Sequence, residues 1–285
     1  MEPIDRVSFE GEGLSWRVYR ASCVQADGGQ RTLVVRLPQP DCGADQPERV
    51  RRERRLLDHL AQTALPIRLP KPVTEVPLSS GQLASVQEYL SGFPLEMRAS
   101  RAAPVEPWEI LAQLAAACHA LDPDSLEEFL PGYTSRRDHA LTSLKTLEAS
   151  ALPEAEEMVT WARCHLPPAR PARLLHGDLL GQNVRLDPFG EALPGLLDFS
   201  EAQLGDPAYD LAIITRGVRR PFQIEGGFER LLDAYNAQDV EPVQAGEVRL
   251  YELCFLVNWY GQEVDSYGAH AGQGTLNQIR NILLR

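Results

Sequence analysis

His176-Gly177-Asp178-Leu179-Leu180-Gly181-Gln182-Asn183 is the stretch on which the reading of this 285-residue chain turns. An Asp stands two residues after a His and five before an Asn. A carboxylate and a carboxamide on one short, stiff loop can converge on a single reacting group from opposite sides. The first would take a proton, and the second would give an oxygen to a metal ion.

Downstream, Val184-Arg185-Leu186 is followed by the turn-rich Asp187-Pro188-Phe189-Gly190, then by Leu196-Leu197 and Asp198-Phe199-Ser200. Two short apolar runs around Pro and Gly predict a hairpin. Its closure would return Asp198 to the side of Asn183, giving a second oxygen ligand for a metal.

The two motifs, HGDLLGQN and LLDFSEAQLGDPAYDLA (Leu196 to Ala212), resemble the aminoglycoside phosphotransferase family of small-molecule kinases, with weaker similarity over most of the chain. The resemblance implies an α+β, two-lobed protein-kinase-like fold. A small antiparallel-sheet N-lobe would cover residues 1–90, and a larger, mainly helical C-lobe residues 91–285. It implies transfer of the γ-phosphoryl of ATP or GTP to a hydroxyl of a small molecule. Asp178 would be the base, and Asn183 and Asp198 would hold Mg²⁺. Asp210 would brace the loop. Gly177 stands where many protein kinases carry an Arg that senses a phosphorylated activation loop, which favours a small-molecule acceptor.

The composition fits one soluble globular chain. With 40 acidic and 28 basic residues the net charge is −12, which argues against nucleic acid as the partner and allows a cationic acceptor. The amino terminus, Met-Glu-Pro-Ile-Asp-Arg, has no apolar signal core and no run reaches membrane-spanning length, so the cytoplasm is expected and a membrane is not. The five cysteines are scattered, without metal or redox spacing, and read as reduced thiols. Lys71 and Lys145 are the only lysines.

Ahead of the loop, Ser8 to Tyr19 predicts a strand–turn–strand, with Gly11, Gly13 and Ser15 lining a loop whose bare backbone can approach phosphates. The next strand, Thr32 to Leu37, carries Arg36 where a kinase has Lys. Arg keeps the charge and can hold phosphate bidentately, in a different geometry. Between Pro47 and Gln62, Val50, Glu53, Leu57 and Leu60 share one helix face. An acid on an apolar face needs a cation. Arg36 is the expected partner of Glu53; Arg49 or Arg52 is the alternative.

Pro66 to Pro77 reads as a proline-punctuated connection before a strand from Gln82 to Leu90. Glu88, Tyr89 and Leu90 open the expected hinge, Glu88 to Gly92, where a purine would meet backbone, which leaves ATP and GTP undistinguished. The rest reads as helices: Trp108 to Leu121, two or three within Ser125 to Pro168, one from Pro207 to about Arg216, then Gly227–Gln238, Gly246–Tyr267 and Thr275–Leu284. Asp206 reads as an N-cap, and the Tyr251, Phe255, Trp259 stripe as core. Two other classes remain open: a nucleotide-binding scaffold without transfer activity, and an enzyme using Asp178 as a base without nucleotide.

Overall fold

A computed structural model describes residues 4–13, 15–25, 27–95, 106–187, 189, 192–215, 226–268 and 270–284. The expected turn residues Pro188 and Gly190, and the helix end at Arg216, lie outside these. The described chain forms two compact units, one of residues up to Leu95 with Gln182–Glu201, the other of Glu96–Gly181 with Ala202 onward. A single cut at residue 90 does not describe this division, because the hairpin after Asn183 returns to the first unit.

The first unit opens with β1 (Ile4–Glu12), β2 (Trp16–Val24) and β3 (Gln30–Pro38), then α1 (Gln46–Leu60), β4 (Pro72–Pro77) and β5 (Leu83–Glu88). The strands form an antiparallel sheet ordered β1-β2-β3-β5-β4. Five of the six β5 residues are buried, as a strand covered on both faces requires. Strand β4 corrects the reading of Pro66–Pro77 as a connection. Prolines break central strands but are tolerated at a sheet edge, and Pro72 and Pro77 bound an edge strand.

Helix α1 buries Val50, Leu56, Leu57 and Leu60 together with Gln46 and Glu53. Gln46 satisfies both backbone groups of Leu83, its Nε2 donating to the carbonyl (2.7 Å) and its Oε1 accepting the N–H (3.0 Å). That anchor ties the start of the helix to β5. The short β6 (Phe93–Pro94) follows β5.

In the second unit, α2 (Pro107–His119) is buried on nearly every face. Ile110, Leu111, Leu114 and Cys118 lie in the core, whereas Leu121 falls beyond the helix and is half-buried. Next come α3 (Arg136–Glu148), capped by the Ser135 hydroxyl on the Asp138 N–H (3.1 Å), α4 (Ala155–Cys164) and β7 (Arg173–Leu175). The chain then re-enters the first unit as β8 (Val184–Leu186) and β9 (Gly195–Leu196), a hairpin that adds to β6 in the order β6-β8-β9.

Back in the second unit, β10 (Gln203–Gly205) pairs with β7. It leads to α5 (Pro207–Thr215), α6 (Gly227–Asn236), α7 (Ala245–Tyr267) and α8 (Gln273–Leu283). Asp206 is more than the expected N-cap. It does accept the Ala208 N–H at 3.4 Å, but it is fully buried and its stronger partner is Arg136 Nε at 2.8 Å. Arg136 in turn holds Glu247 at 2.9 Å. A carboxylate sunk this deep needs a cation more than a backbone amide. Tyr251 of the aromatic stripe is core, while Phe255 and Trp259 are half-buried. All five cysteines are free, four of them buried. Among the described residues no helix is long and apolar enough to cross a membrane.

Candidate active site

The loop begins in the second unit with the buried His176, directly after β7. Its shape is set by Asp210 from the first turn of α5. One carboxylate oxygen accepts the His176 N–H at 2.8 Å and the other the Gly177 N–H at 2.9 Å. His119, the last residue of α2, lies 3.2 Å from Asp210 through Nε2 and 2.9 Å from the Tyr235 hydroxyl through Nδ1. Burial would raise the Asp210 carboxyl, but the His119 bond and the His176 contacts outweigh it and hold it below the usual carboxylate range.

Gly177 has φ +82, a conformation that favours glycine over any side chain. His176 Nδ1 accepts the Asp178 N–H at 3.2 Å, which puts the ring proton on Nε2. The Asp178 carbonyl accepts from Leu180 N–H at 2.8 Å, so the backbone of Asp178 is pinned on both sides. The His of the motif is therefore a brace.

Between Gly181 and Gln182 the chain passes into the first unit, and a single 3₁₀ turn ends at Asn183. Val184 pairs with Leu196, and the Leu197 N–H donates to the Asn183 carbonyl at 2.9 Å. The predicted hairpin thus forms and carries Asp198 back toward Asn183. Among the described residues Asp198 is the one non-glycine with positive φ, at 64°.

Three elements meet around that aspartate. Arg36 on β3 sits beside Ser85 on β5 and is 6 % exposed. Its Nη2 pairs with Glu53 of α1 and lies 3.3 Å from the Ser85 hydroxyl. The Nη1 donates to Asp198 Oδ1 at 3.1 Å, and the Trp16 ring stacks on the guanidinium at 4.8 Å. Burial works against the Arg36 charge, but Glu53 and Asp198 more than compensate and push its pKa up. Burial pushes the Glu53 carboxyl up in turn, opposed by Arg36 and by the Phe199 N–H that donates to it at 3.1 Å. Arg49 and Arg52, the alternative partners for Glu53, bond elsewhere. Arg52 donates to the Ser200 carbonyl (3.3 Å) and Arg49 to Glu201 (2.8 Å). Glu53, Arg52 and Arg49 of α1 thus hold the three successive residues after Asp198.

Gly11 lies at a bulge between β1 and β2 with φ +155, and neither Gly11 nor Gly13 has an atom within 4 Å of where a Cβ would stand. Ser15 and Gly13 are held from Gln39, whose N–H reaches the Ser15 carbonyl (2.8 Å) and whose amide reaches that of Gly13 (3.3 Å). At the segment expected to be the hinge, the Glu88 carboxylate is taken by Arg31 (2.6 Å), and the N–H groups of Glu88 and Tyr89 by the Lys71 and Thr32 carbonyls. The Leu90 N–H and carbonyl make no backbone bond among the described residues.

Asn183 and Asp198 offer one amide oxygen and one carboxylate, both hard donors. A Mg²⁺ ion commonly takes one or two protein oxygens and completes its shell with water and phosphate, so the pair fits it. Among the described residues no cluster of three or more His, Cys, Asp or Glu is arranged for a metal. The sequence missed His119, the link from Arg36 to Asp198, and Arg68 near the hinge. A histidine closing an apolar helix reads as an ordinary helix end, and the other two depend on loop conformation, which leaves no periodic signal.

Residues 11–253 match the APH family, described as the phosphotransferase enzyme family. The chain is 28% identical over 225 residues to homoserine kinase of Beijerinckia indica subsp. indica, covering 72% of this chain and 68% of that protein. It is 23% identical over 248 residues to acyl-CoA dehydrogenase family member 10 of Mus musculus, covering 83% of this chain but only 22% of the length of the mouse protein. Among solved structures it superposes on the GDP and kanamycin complex of APH(2")-IIIa with a TM-score of 0.70 at 17% identity, covering 98% and 93% of the two chains. It also superposes on macrolide 2'-phosphotransferase MphH of Brachybacterium faecium with a TM-score of 0.65 at 24% identity, covering 97% and 93%. The match over residues 11–253 takes in β2 to β10 and the loop from His176 to Asn183, and on it the chain belongs to the APH phosphotransferase enzyme family, whose kinase-like α+β fold it shares.

Proposed function

We propose that the protein is a small-molecule kinase that transfers the γ-phosphoryl group of ATP or GTP to a hydroxyl group in the presence of Mg²⁺. The observation that carries this reading is the buried Arg36–Glu53 pair reaching out to Asp198, whose left-handed backbone is held from α1. A strained ligand residue kept in place by its surroundings is the mark of a preorganised site.

The acceptor oxygen would attack the γ-phosphorus as the bond to the β–γ bridging oxygen breaks, and Asp178 would take the hydroxyl proton. Arg36 would steady phosphate oxygens, with Glu53 fixing its orientation. Asn183 and Asp198 would hold Mg²⁺, which supplies positive charge to the phosphates when bound. Gly11, Gly13 and Ser15 would offer bare backbone to the phosphates. Leu90, whose N–H and carbonyl make no backbone bond among the described residues, would meet the purine edge.

For the acceptor we favour a cationic, aminoglycoside-like compound, on the excess of acid and the family kinship. The 28% identity to a homoserine kinase supports a second reading, a smaller amino alcohol. A phosphoryl-transfer screen over aminoglycosides, macrolides and amino alcohols, run with ATP and with GTP, decides between them. Nucleotide binding without transfer to any hydroxyl compound would favour the silent-scaffold reading instead.

A further inference from the structure

We infer that Arg68, in the segment between α1 and β4, is a positioning residue that couples the purine-facing hinge to the metal-binding hairpin. The inference deepens the kinase reading and rests on it. The Arg68 guanidinium donates to three backbone carbonyls: from Nε to Leu193 at 2.6 Å, from Nη1 to Ser91 at 3.2 Å and from Nη2 to Arg185 at 3.4 Å. Its own backbone adds two bonds, its N–H to the Pro194 carbonyl and its carbonyl to the Leu196 N–H, both at 2.9 Å. Ser91 belongs to the hinge. Arg185 stands two residues after Asn183, and Leu196 two residues before Asp198. One half-buried side chain therefore reaches the hinge, a strand of the metal hairpin and the turn that joins its strands.

The surroundings are built for this closeness. A Cβ at Gly92 would fall 2.6 Å from the Leu186 carbonyl oxygen, and one at Gly195 would fall 2.5 Å from Leu90 Cδ2. Immediately after the hinge, β6 pairs with β8. Among the described residues no carboxylate pairs with Arg68, so its charge is spent on carbonyl dipoles and not on a surface ion pair. A guanidinium carries five N–H groups in a rigid fork, whereas a lysine ammonium is a single point. Arg68 meets its three carbonyls from three different nitrogens, a spread that the three N–H groups on the single nitrogen of a lysine do not match.

A nucleotide with its base on the hinge and its phosphates on a metal at Asn183 and Asp198 would span these two segments. Arg68 fixes their spacing, so base and metal reinforce each other's binding. Without Arg68 each contact would survive, but the two would no longer be held at a matching distance.

The experiment is calorimetric titration of ADP and GDP, with and without Mg²⁺, into the unmodified protein, Arg68→Ala and Arg68→Lys. The quantity read is the factor by which Mg²⁺ tightens the nucleotide. Loss of the coupling should shrink that factor by about fivefold or more in Arg68→Ala, the lower end of usual coupling energies, while adenosine or guanosine alone binds within about twofold of the unmodified protein. Arg68→Lys should lose nearly as much. The Mg²⁺ concentration for half-maximal transfer should rise in parallel, with acceptor KM unmoved. A lowered melting temperature with an unchanged Mg²⁺ factor would overturn the inference and leave Arg68 as scaffold only. Should Arg68→Ala not fold, Arg68→Lys decides by the same criterion. An unmodified protein that binds neither nucleotide would instead overturn the kinase reading, and this inference with it.

Discussion

At the scale of single residues, the site is organised by charges that would be intolerable apart. Glu53 is 2 % exposed and Arg36 6 %, yet each completes the other, and the second Arg36 nitrogen reaches Asp198. Residues in such contact couple by about 0.5–3 kcal/mol in double-mutant cycles, whereas separated ones add within a few tenths. Arg36→Ala and Glu53→Ala should therefore be non-additive in nucleotide affinity, and additive effects would break the pairing as a functional unit. Asp178 invites a cleaner test, because its backbone is pinned by His176 Nδ1 and Leu180 N–H independently of its carboxylate. Asp178→Asn should fold and bind nucleotide as before, while transfer falls by about 10²–10⁴-fold, the usual worth of a positioned base. Full transfer by the folded variant would remove Asp178 from the chemistry. The partnership of Arg36 and Glu53 was legible in the sequence because an acid on an apolar helix face demands a cation. The contact from Arg36 to Asp198 was not, since it depends on one left-handed residue in a loop.

Legibility at the scale of elements followed periodicity. Helix α1 announced its buried face through Val50, Glu53, Leu57 and Leu60, all of which are buried. Strand β4 hid behind two prolines, since the same residue that bars a central strand is harmless on an edge. Helix α3 carries a consequence no pattern reveals. Its His139 is buried, stacks on Tyr133 at 4.4 Å, and accepts the Asp206 N–H through Nδ1 at 3.0 Å. Burial lowers its pKa to about 4, against a slight upward pull from Asp210. The unfolded chain protonates this ring near pH 6.5 while the folded one resists until about pH 4, so the folded state binds fewer protons across that window. Stability from this group is therefore present above pH 6.5 and lost as pH falls toward 4, by about 3 kcal/mol at 1.36 kcal/mol per unit. Thermal unfolding of the unmodified protein and of His139→Gln, compared across pH 4–7, isolates the effect from carboxylate titration. Identical slopes in the two proteins would exclude His139 as the source.

For the molecule as a whole, the net charge of −12 sets an expectation about the acceptor. If carboxylates hold a cationic substrate, acceptor KM should rise with added salt, because the Debye length falls from about 10 Å at 0.1 M to about 3 Å at 1 M. A salt-independent KM, or a best acceptor without an amine, would assign the acidity to solubility alone. The division into helical and sheet-rich parts was readable from the order of predicted elements. That the first unit takes back residues 182–201 was not, because long-range packing leaves no local mark. This return has a consequence for the birth of the protein. When the chain as far as Leu95 has left the ribosome, Glu53 still lacks the Phe199 N–H, and Arg36 its second carboxylate. Another 106 residues, 96 to 201, must be synthesised before the first unit is complete, a delay of roughly 5–20 s at 5–20 residues per second. Throughout that interval Arg36 and Glu53 lack the partners that residues 198 and 199 bring. A chain arrested at Leu95 would never leave that stage.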